Sequence, residues 1–397
     1  IIYILKNSSS VNLPIGIALL PIIFLVLLLS INVFIYGDDS LNGTNQFILI
    51  LSGLFGASIG FIYKVSYKDI LTSISNSVKS VTGALLILLF VGALAGTWMI
   101  SGIIPSMVYY GLKILDPNIF LPACIIICSI ISVATGSSWT TSATVGIALV
   151  GIGQALGISA GMVGGAVISG AYFGDKLSPL SDTTNLAAAV TKVDLFKHIK
   201  YLTYTTIPSI TITFIVFIIL GFLQVSDGST DNTYLLSAIS EKFNISLVLF
   251  IVPLLVLIMI IKKTPPLIAL VIGTLTGALF SIIFQPQIIS ELSSGSNSKL
   301  VNTYVVIMDT ITGPISIETN NELLNDLFST GGMLGMLNTI FLVIGTMVFG
   351  GAMDAIGALK TISKTLLKWA NTSFKLFASA VASCLALNVS ASDQYLS

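Results

Sequence analysis

The chain has 397 residues, of which 55% are hydrophobic and only 9% charged, where an ordinary soluble domain is about one quarter charged. Seventeen Lys balance thirteen Asp and four Glu, and there is no Arg. No basic face is left for nucleic acid, and Arg-forked phosphate recognition is excluded. Repeated apolar runs match the ~20 residues that cross a bilayer core, so the sequence predicts an all-α polytopic membrane protein among membrane lipids.

In chain order, spans are predicted at about 13–36, 46–63, 81–104, 119–134, 143–157, 161–190, 201–223, 243–261, 266–284, 333–356 and 374–388. The first is too long and apolar to be a signal h-region. The chain opens at Ile1 without Met and stops at Ser397 inside a polar motif, so missing ends are expected. Lys64, Lys68, Lys79; Lys192, Lys197, Lys200; Lys262, Lys263; and Lys360, Lys364, Lys368, Lys375 mark four loops. Acidic residues dominate the alternate ones. By the positive-inside rule the lysine-rich loops and the N-terminus are expected in the cytoplasm of a multi-pass protein. Segments 64–80 and 357–372 mix lysines with apolar residues at a spacing that suits helices along that interface, or else ordinary loops.

The span at 161–190 is the least uniform. Glycines thin its first half, and Gly174-Asp175-Lys176-Leu177-Ser178-Pro179-Leu180-Ser181-Asp182-Thr183-Thr184-Asn185 interrupts it. Pro179 removes a donor and pushes Ser178 to extended backbone, so a straight helix is disfavoured here. Broken backbone at membrane depth survives only where protein or a wet cavity covers it.

Two stretches 254 residues apart correspond. Gly96-Thr97-Trp98-Met99 resembles Gly350-Gly351-Ala352-Met353, and the polar break after Ala134 resembles that after Asn388. Pro21 pairs with Pro253, and Gly56-Ala57 with Gly277-Ala278. The two units begin on opposite sides of the membrane by the predicted topology, which suggests an inverted-repeat secondary transporter with discontinuous or re-entrant helices and alternating access; a chance glycine match is the other reading. The expected segments are 1–80 (scaffold helix pair and cytoplasmic linker), 81–200 (first core repeat), 201–300 (linking span and second scaffold pair) and 301–397 (second core repeat, incomplete). Spans 13–63 and 243–284 would form the scaffold and any homodimer contact, or face lipid.

Chemistry concentrates in three clusters. Asp182, Asp175, Ser178, Ser181, Thr183, Thr184 and Asn185 are oxygen donors suited to a hard cation such as Na⁺, with Asp182 the first choice for the carboxylate. Asp175 and the adjacent Lys176 form either part of the pathway or an internal pair; both aspartates could also cap half-helices. Thr135, Ser137, Ser138, Thr140 and Thr141 could supply neutral ligands opposite the aspartates, or instead satisfy backbone carbonyls, with Gly136 letting the chain turn and Trp139 packing nearby. Asn388, Ser392 and Asp393 form the repeat counterpart. Asp354 either lines the path or sits at its cytoplasmic boundary. Three cysteines and a single His give no structural metal set. No Walker, nucleotide or triad motif is present, so no enzyme activity and no cofactor are expected.

The 174–185 run resembles the signature of NhaC-type Na⁺/H⁺ antiporters, and the likeness extends to Gly96-Thr97-Trp98, Thr135-Gly136-Ser137-Ser138-Trp139-Thr140 and Asn388 with Asp393-Gln394-Tyr395-Leu396-Ser397. That family belongs to a broader transporter group with inverted repeats. The resemblance implies exchange of Na⁺, or of Li⁺, for H⁺ across a prokaryotic plasma membrane. Some relatives exchange malate with protons for lactate with sodium, so a small carboxylate substrate is the alternative; a passive channel is the third reading.

Overall fold

The computed structural model describes residues 13–382, apart from 115, 180, 192, 225–231, 263, 294–297, 320–321, 369–371, 373, 376 and 380. In order, its helices are α1 (Ile15–Tyr36), α2 (Thr44–Ile62), α3 (Tyr67–Ser80), α4 (Thr82–Ile100), α5 (Ile103–Ile114), α6 (Pro117–Thr135), α7 (Ser138–Thr141), α8 (Ile147–Ala155), α9 (Ala160–Leu177) and α10 (Asp182–Thr191). Then come α11 (Leu195–Gln224), α12 (Asn232–Lys242), α13 (Ile251–Ile261), α14 (Pro266–Phe284), α15 (Pro286–Leu292), α16 (Lys299–Thr312), α17 (Glu322–Leu327), α18 (Gly332–Gly335), α19 (Leu337–Ala355) and α20 (Ala358–Lys368). A π-helical turn, Ser142–Gly146, joins α7 to α8. Strands β1 (Ile315–Ser316) and β2 (Ser329–Thr330) make one short antiparallel pair.

Among the described residues, seven helices are long and apolar enough to cross a membrane: α1, α2, α4, α6, α11, α14 and α19. A bent pair, Leu235–Lys242 with Leu247–Ile260, turned by 84°, is together apolar enough for a broken span or a re-entrant loop. The protein is an all-α polytopic membrane protein. Fewer uninterrupted spans form than the eleven apolar runs suggest. The run 143–157 becomes a π turn and a nine-residue helix, 161–190 divides into α9 and α10, and most of 374–388 lies outside the described residues.

The chain forms two compact units, one from Ile1–Leu86 with Leu337–Ser397 and the other from Ile87–Met336. Each uses the same plan. In the first, the α1–α2 hairpin packs on α19: Gly53 lies against the Phe349 backbone and Gly56 against Pro21 and Met353. In the second, the α13–α14 hairpin packs on α4: Gly273 lies against Leu94 and Val256, and Gly277 against Thr97 and Trp98. The Trp98 indole N–H donates to the Gly273 carbonyl at 3.2 Å. A shorter helix approaches each core helix at a glycine, α3 at Gly351 through Ile74 and α16 at Gly96 through Thr310. The hairpin and short helix that serve each core helix therefore come from the other half of the sequence. Tight glycine contacts of this kind suit membrane bundles, where close van der Waals packing replaces the hydrophobic drive between helices.

Segments 64–80 and 357–372 contain amphipathic helices, α3 and α20. Their apolar residues rest on protein: Ile70 of α3 is buried, as are Ala358 and Ile362 of α20. Ser66 caps α3 by accepting from the Asp69 N–H.

Candidate functional site

The second unit brings two helix interruptions side by side. The α6 helix ends because Gly136 takes a left-handed conformation, φ 70°, and its N–H returns to the Ser132 carbonyl at 2.8 Å. Glycine adopts that conformation without a Cβ penalty. The α9 helix ends at Ser178, whose φ −80° and ψ 128° are the extended values that a following proline imposes. Ser181 then starts α10: its hydroxyl accepts from the Thr184 N–H at 3.3 Å.

Close approach of α6 and α9 depends on two glycines. A Cβ at Gly170 would meet the Ile125 carbonyl, and one at Gly174 would meet the Ser129 carbonyl, Ser132 and the Val133 nitrogen. Hydroxyls then bind the helices together. Ser132 donates to the Ala171 carbonyl, and Ser178 donates to the Val133 carbonyl at 2.8 Å. The last turns of α6 and α9 are thereby held next to each other.

The buried carboxylate is Asp175. It accepts a hydrogen bond from Ser138, the first residue of α7, at 2.9 Å. Both residues are buried, at 5% and 1% exposure, so this charge sits in a protein-lined interior. Thr184 Oγ1 donates toward the Asp175 and Lys176 carbonyls at 3.4 and 3.2 Å. Ser181 and Thr183 share a hydroxyl contact at 2.9 Å, and the Asn185 amide donates to the Pro179 and Ser181 carbonyls at 2.8 and 2.7 Å. Ser137 holds the start of α7, where its carbonyl accepts from the Thr141 hydroxyl at 2.9 Å.

The structure thus joins the hydroxyl cluster to the 174–185 run through Ser138 and Asp175. It does not pair Asp175 with Lys176. Adjacent helical residues point about 100° apart; Asp175 turns inward while Lys176 is exposed. Among the described residues the one ion pair is Lys242–Glu291, well away in sequence. Trp139 is 38% exposed and lies on the rim of α7. Asp182 opens α10, but its side chain, like those of Thr135 and Thr140, lies outside the described residues, as do Asn388, Ser392 and Asp393 entirely. Asp354 belongs to the other unit. It is half-buried near the end of α19 and accepts from Ser73 of α3 at 3.2 Å.

Ser132 was missed as a site residue in the sequence reading. It lies one turn before Gly136, and Gly170 and Gly174, four residues apart, mark the helix face it bonds to.

The description of the Na⁺/H⁺ antiporter family matches residues 170–397, which contain Asp175 and both ends of the α9–α10 break. The chain belongs to the Na⁺/H⁺ antiporter family. It is 38% identical over 348 residues to a malate-2H⁺/Na⁺-lactate antiporter of Bacillus subtilis, covering 87% of this chain and 70% of that protein. It is 34% identical over 349 residues to the Na⁺/H⁺ antiporter NhaC of Alkalihalophilus pseudofirmus, covering 88% and 72%. An arginine/ornithine antiporter, ArcD of Halobacterium salinarum, is 33% identical over 388 residues, covering 96% and 76%. No solved structure matches the chain.

Proposed function

We propose that this family member exchanges Na⁺ for H⁺ across the membrane by alternating access, with the α6–α7 and α9–α10 breaks forming the ion site. The observation that carries this reading is the buried Ser138–Asp175 contact between two adjoining helix breaks. A helix C-terminus carries partial negative charge, and the last turns of α6 and α9 lie together. Their carbonyls, the Ser and Thr hydroxyls and a carboxylate make the all-oxygen surroundings that a hard cation accepts. A single carboxylate can hold either Na⁺ or H⁺, and competition for it couples the two ions. Asp182, at the head of α10, is assigned as the exchanging carboxylate and Asp175 as its partner. Ser178, Ser181, Thr183, Thr184, Asn185, Ser137 and Thr141 shape the surroundings.

The matched glycine contacts of the two units support an inverted repeat, with the α1–α2 and α13–α14 hairpins as scaffold. The lysine distribution supports a cytoplasmic N-terminus, and the exposed apolar faces of these hairpins are available to lipid or a second copy. Reconstituted protein should move protons when a Na⁺ gradient is imposed, and Asp182→Asn should stop this flux while assembly is retained. Normal Na⁺-driven proton flux in a folded Asp182→Asn variant removes that residue from the exchange.

The similarity to the malate–lactate antiporter favours a second reading, exchange of small carboxylates with coupled cations. Amides and hydroxyls at the starts of α7 and α10 would receive the carboxylate. Counterflow of labelled malate separates the readings: its occurrence supports carboxylate exchange, and its absence beside intact Na⁺-driven proton flux supports cation exchange.

A further inference from the structure

In the second unit, Trp98, Met107, Val145, Phe250, Leu254 and Leu257 line a cavity of about 390 Å³. That lies within the ~300–1,000 Å³ typical of small-ligand pockets. Its chemistry differs from that of the ion site. Thr144 supplies the one hydroxyl of the lining, and the Trp98 N–H is already directed to the Gly273 carbonyl. A hydrated ion or a carboxylate would find no charged partner here. The walls are deep: Trp98 is 3% exposed and Val256 1%. The mouth is formed by Leu247, Ile251 and Leu254, each more than half exposed, on the bent helix pair of a membrane protein.

We propose that this cavity binds the acyl chain of a bilayer lipid. Three features select that occupant. The mouth side chains Leu247, Ile251 and Leu254 continue with Ile258 as one exposed apolar stripe along a segment apolar enough to belong to a membrane span. If spherical, the cavity is ~9 Å across, too small to admit a second helix of ~10–12 Å diameter, whereas a flexible single chain can enter. The lining is almost wholly hydrocarbon, which an acyl chain can contact by dispersion without needing a polar partner. The bound chain reaches Val145 of the π turn, which follows the α7 helix that carries Ser138. The proposal does not depend on which solute the ion site transports.

The test uses Trp98 as the reporter, with Trp139→Phe and Trp369→Phe in the reconstituted protein. Two sets of vesicles are compared, with phosphatidylcholine chains either brominated or plain. Trp98 emission is expected to fall in brominated vesicles, since bromine quenches an indole only at short range. Val145→Phe and Leu257→Phe each narrow the cavity and should restore part of that emission; two variants are used so that one misfolded variant does not decide the result. Equal emission in both vesicles overturns the proposal. Quenching left undiminished by both substitutions in folded protein also overturns it, because the lipid then reaches Trp98 by another route. Efficient copy-to-copy cross-linking of Leu254→Cys, with no quenching, would assign the mouth to a second copy instead.

Discussion

Gly174→Ala should separate the two breaks without removing a polar group. The added Cβ would lie 2.6 Å from Ser132 Cβ and 2.7 Å from the Val133 nitrogen, roughly 1 Å inside the 3.5–4.0 Å optimum of non-bonded carbon. Val133 meets it with backbone, which cannot rotate aside, so α9 must move away from α6. Overpacking of this kind costs about 1–3 kcal/mol. The movement would also stretch the Ser138–Asp175 and Ser178–Val133 hydrogen bonds. Gly164→Ala is the matched control, because nothing lies within 4 Å of its Cβ position. Thermal unfolding in one detergent and Na⁺-driven proton flux in vesicles should both fall for Gly174→Ala and hold for Gly164→Ala. Wild-type stability and flux in Gly174→Ala would refute the close packing of α6 on α9.

Ser138→Ala leaves a buried carboxylate without its hydroxyl donor, a loss of about 1–3 kcal/mol by thermal or denaturant unfolding; the apparent Na⁺ affinity should change as well. Thr184→Val keeps the shape but removes the hydroxyl shared by the Asp175 and Lys176 carbonyls, and should cost about 0.5–1.5 kcal/mol. Gln285→Leu removes both sides of a reciprocal bond with the Asn244 backbone, 3.0 Å to its N–H and 2.9 Å to its carbonyl. Each stranded group costs roughly 1–3 kcal/mol, so the unfolding temperature should drop well below that of the conservative Gln285→Glu variant at acid pH, where a protonated carboxyl restores one donor and one acceptor.

Local chemistry made the α9–α10 break legible, because Pro179 acts on Ser178 whatever surrounds it. Gly136 ends α6 for the same kind of reason. The hydroxyl cluster was expected opposite the aspartates, but not which hydroxyl would meet Asp175: Ser138 is 37 positions away, and adjacent Lys176 points elsewhere along the helix. The 84° corner after α12 has no Pro or Gly at Asn244–Ser246; it is held by Gln285 some forty residues on. Only Asn244 and the capping Ser246 hinted at it. The α16 helix passed unnoticed because it is short, although buried Val306 and Thr310 stand at i and i+4. The repeated glycines were visible in sequence, but not that each core helix takes its hairpin and short helix from the other half, which is a long-range choice.

Na⁺ titration of the reconstituted protein against pH tests the central claim most directly. A carboxylate that alternates between Na⁺ and H⁺ must bind sodium more weakly as pH falls, and its apparent pKa must fall as sodium rises, because the linkage is reciprocal. Well below that pKa, each further unit of acidity should weaken sodium about tenfold for one exchanged proton. The account predicts that this slope vanishes in Asp182→Asn. A sodium affinity that stays constant from about pH 5 to 9, spanning both sides of neutrality, would contradict direct competition at the α6–α7 and α9–α10 breaks.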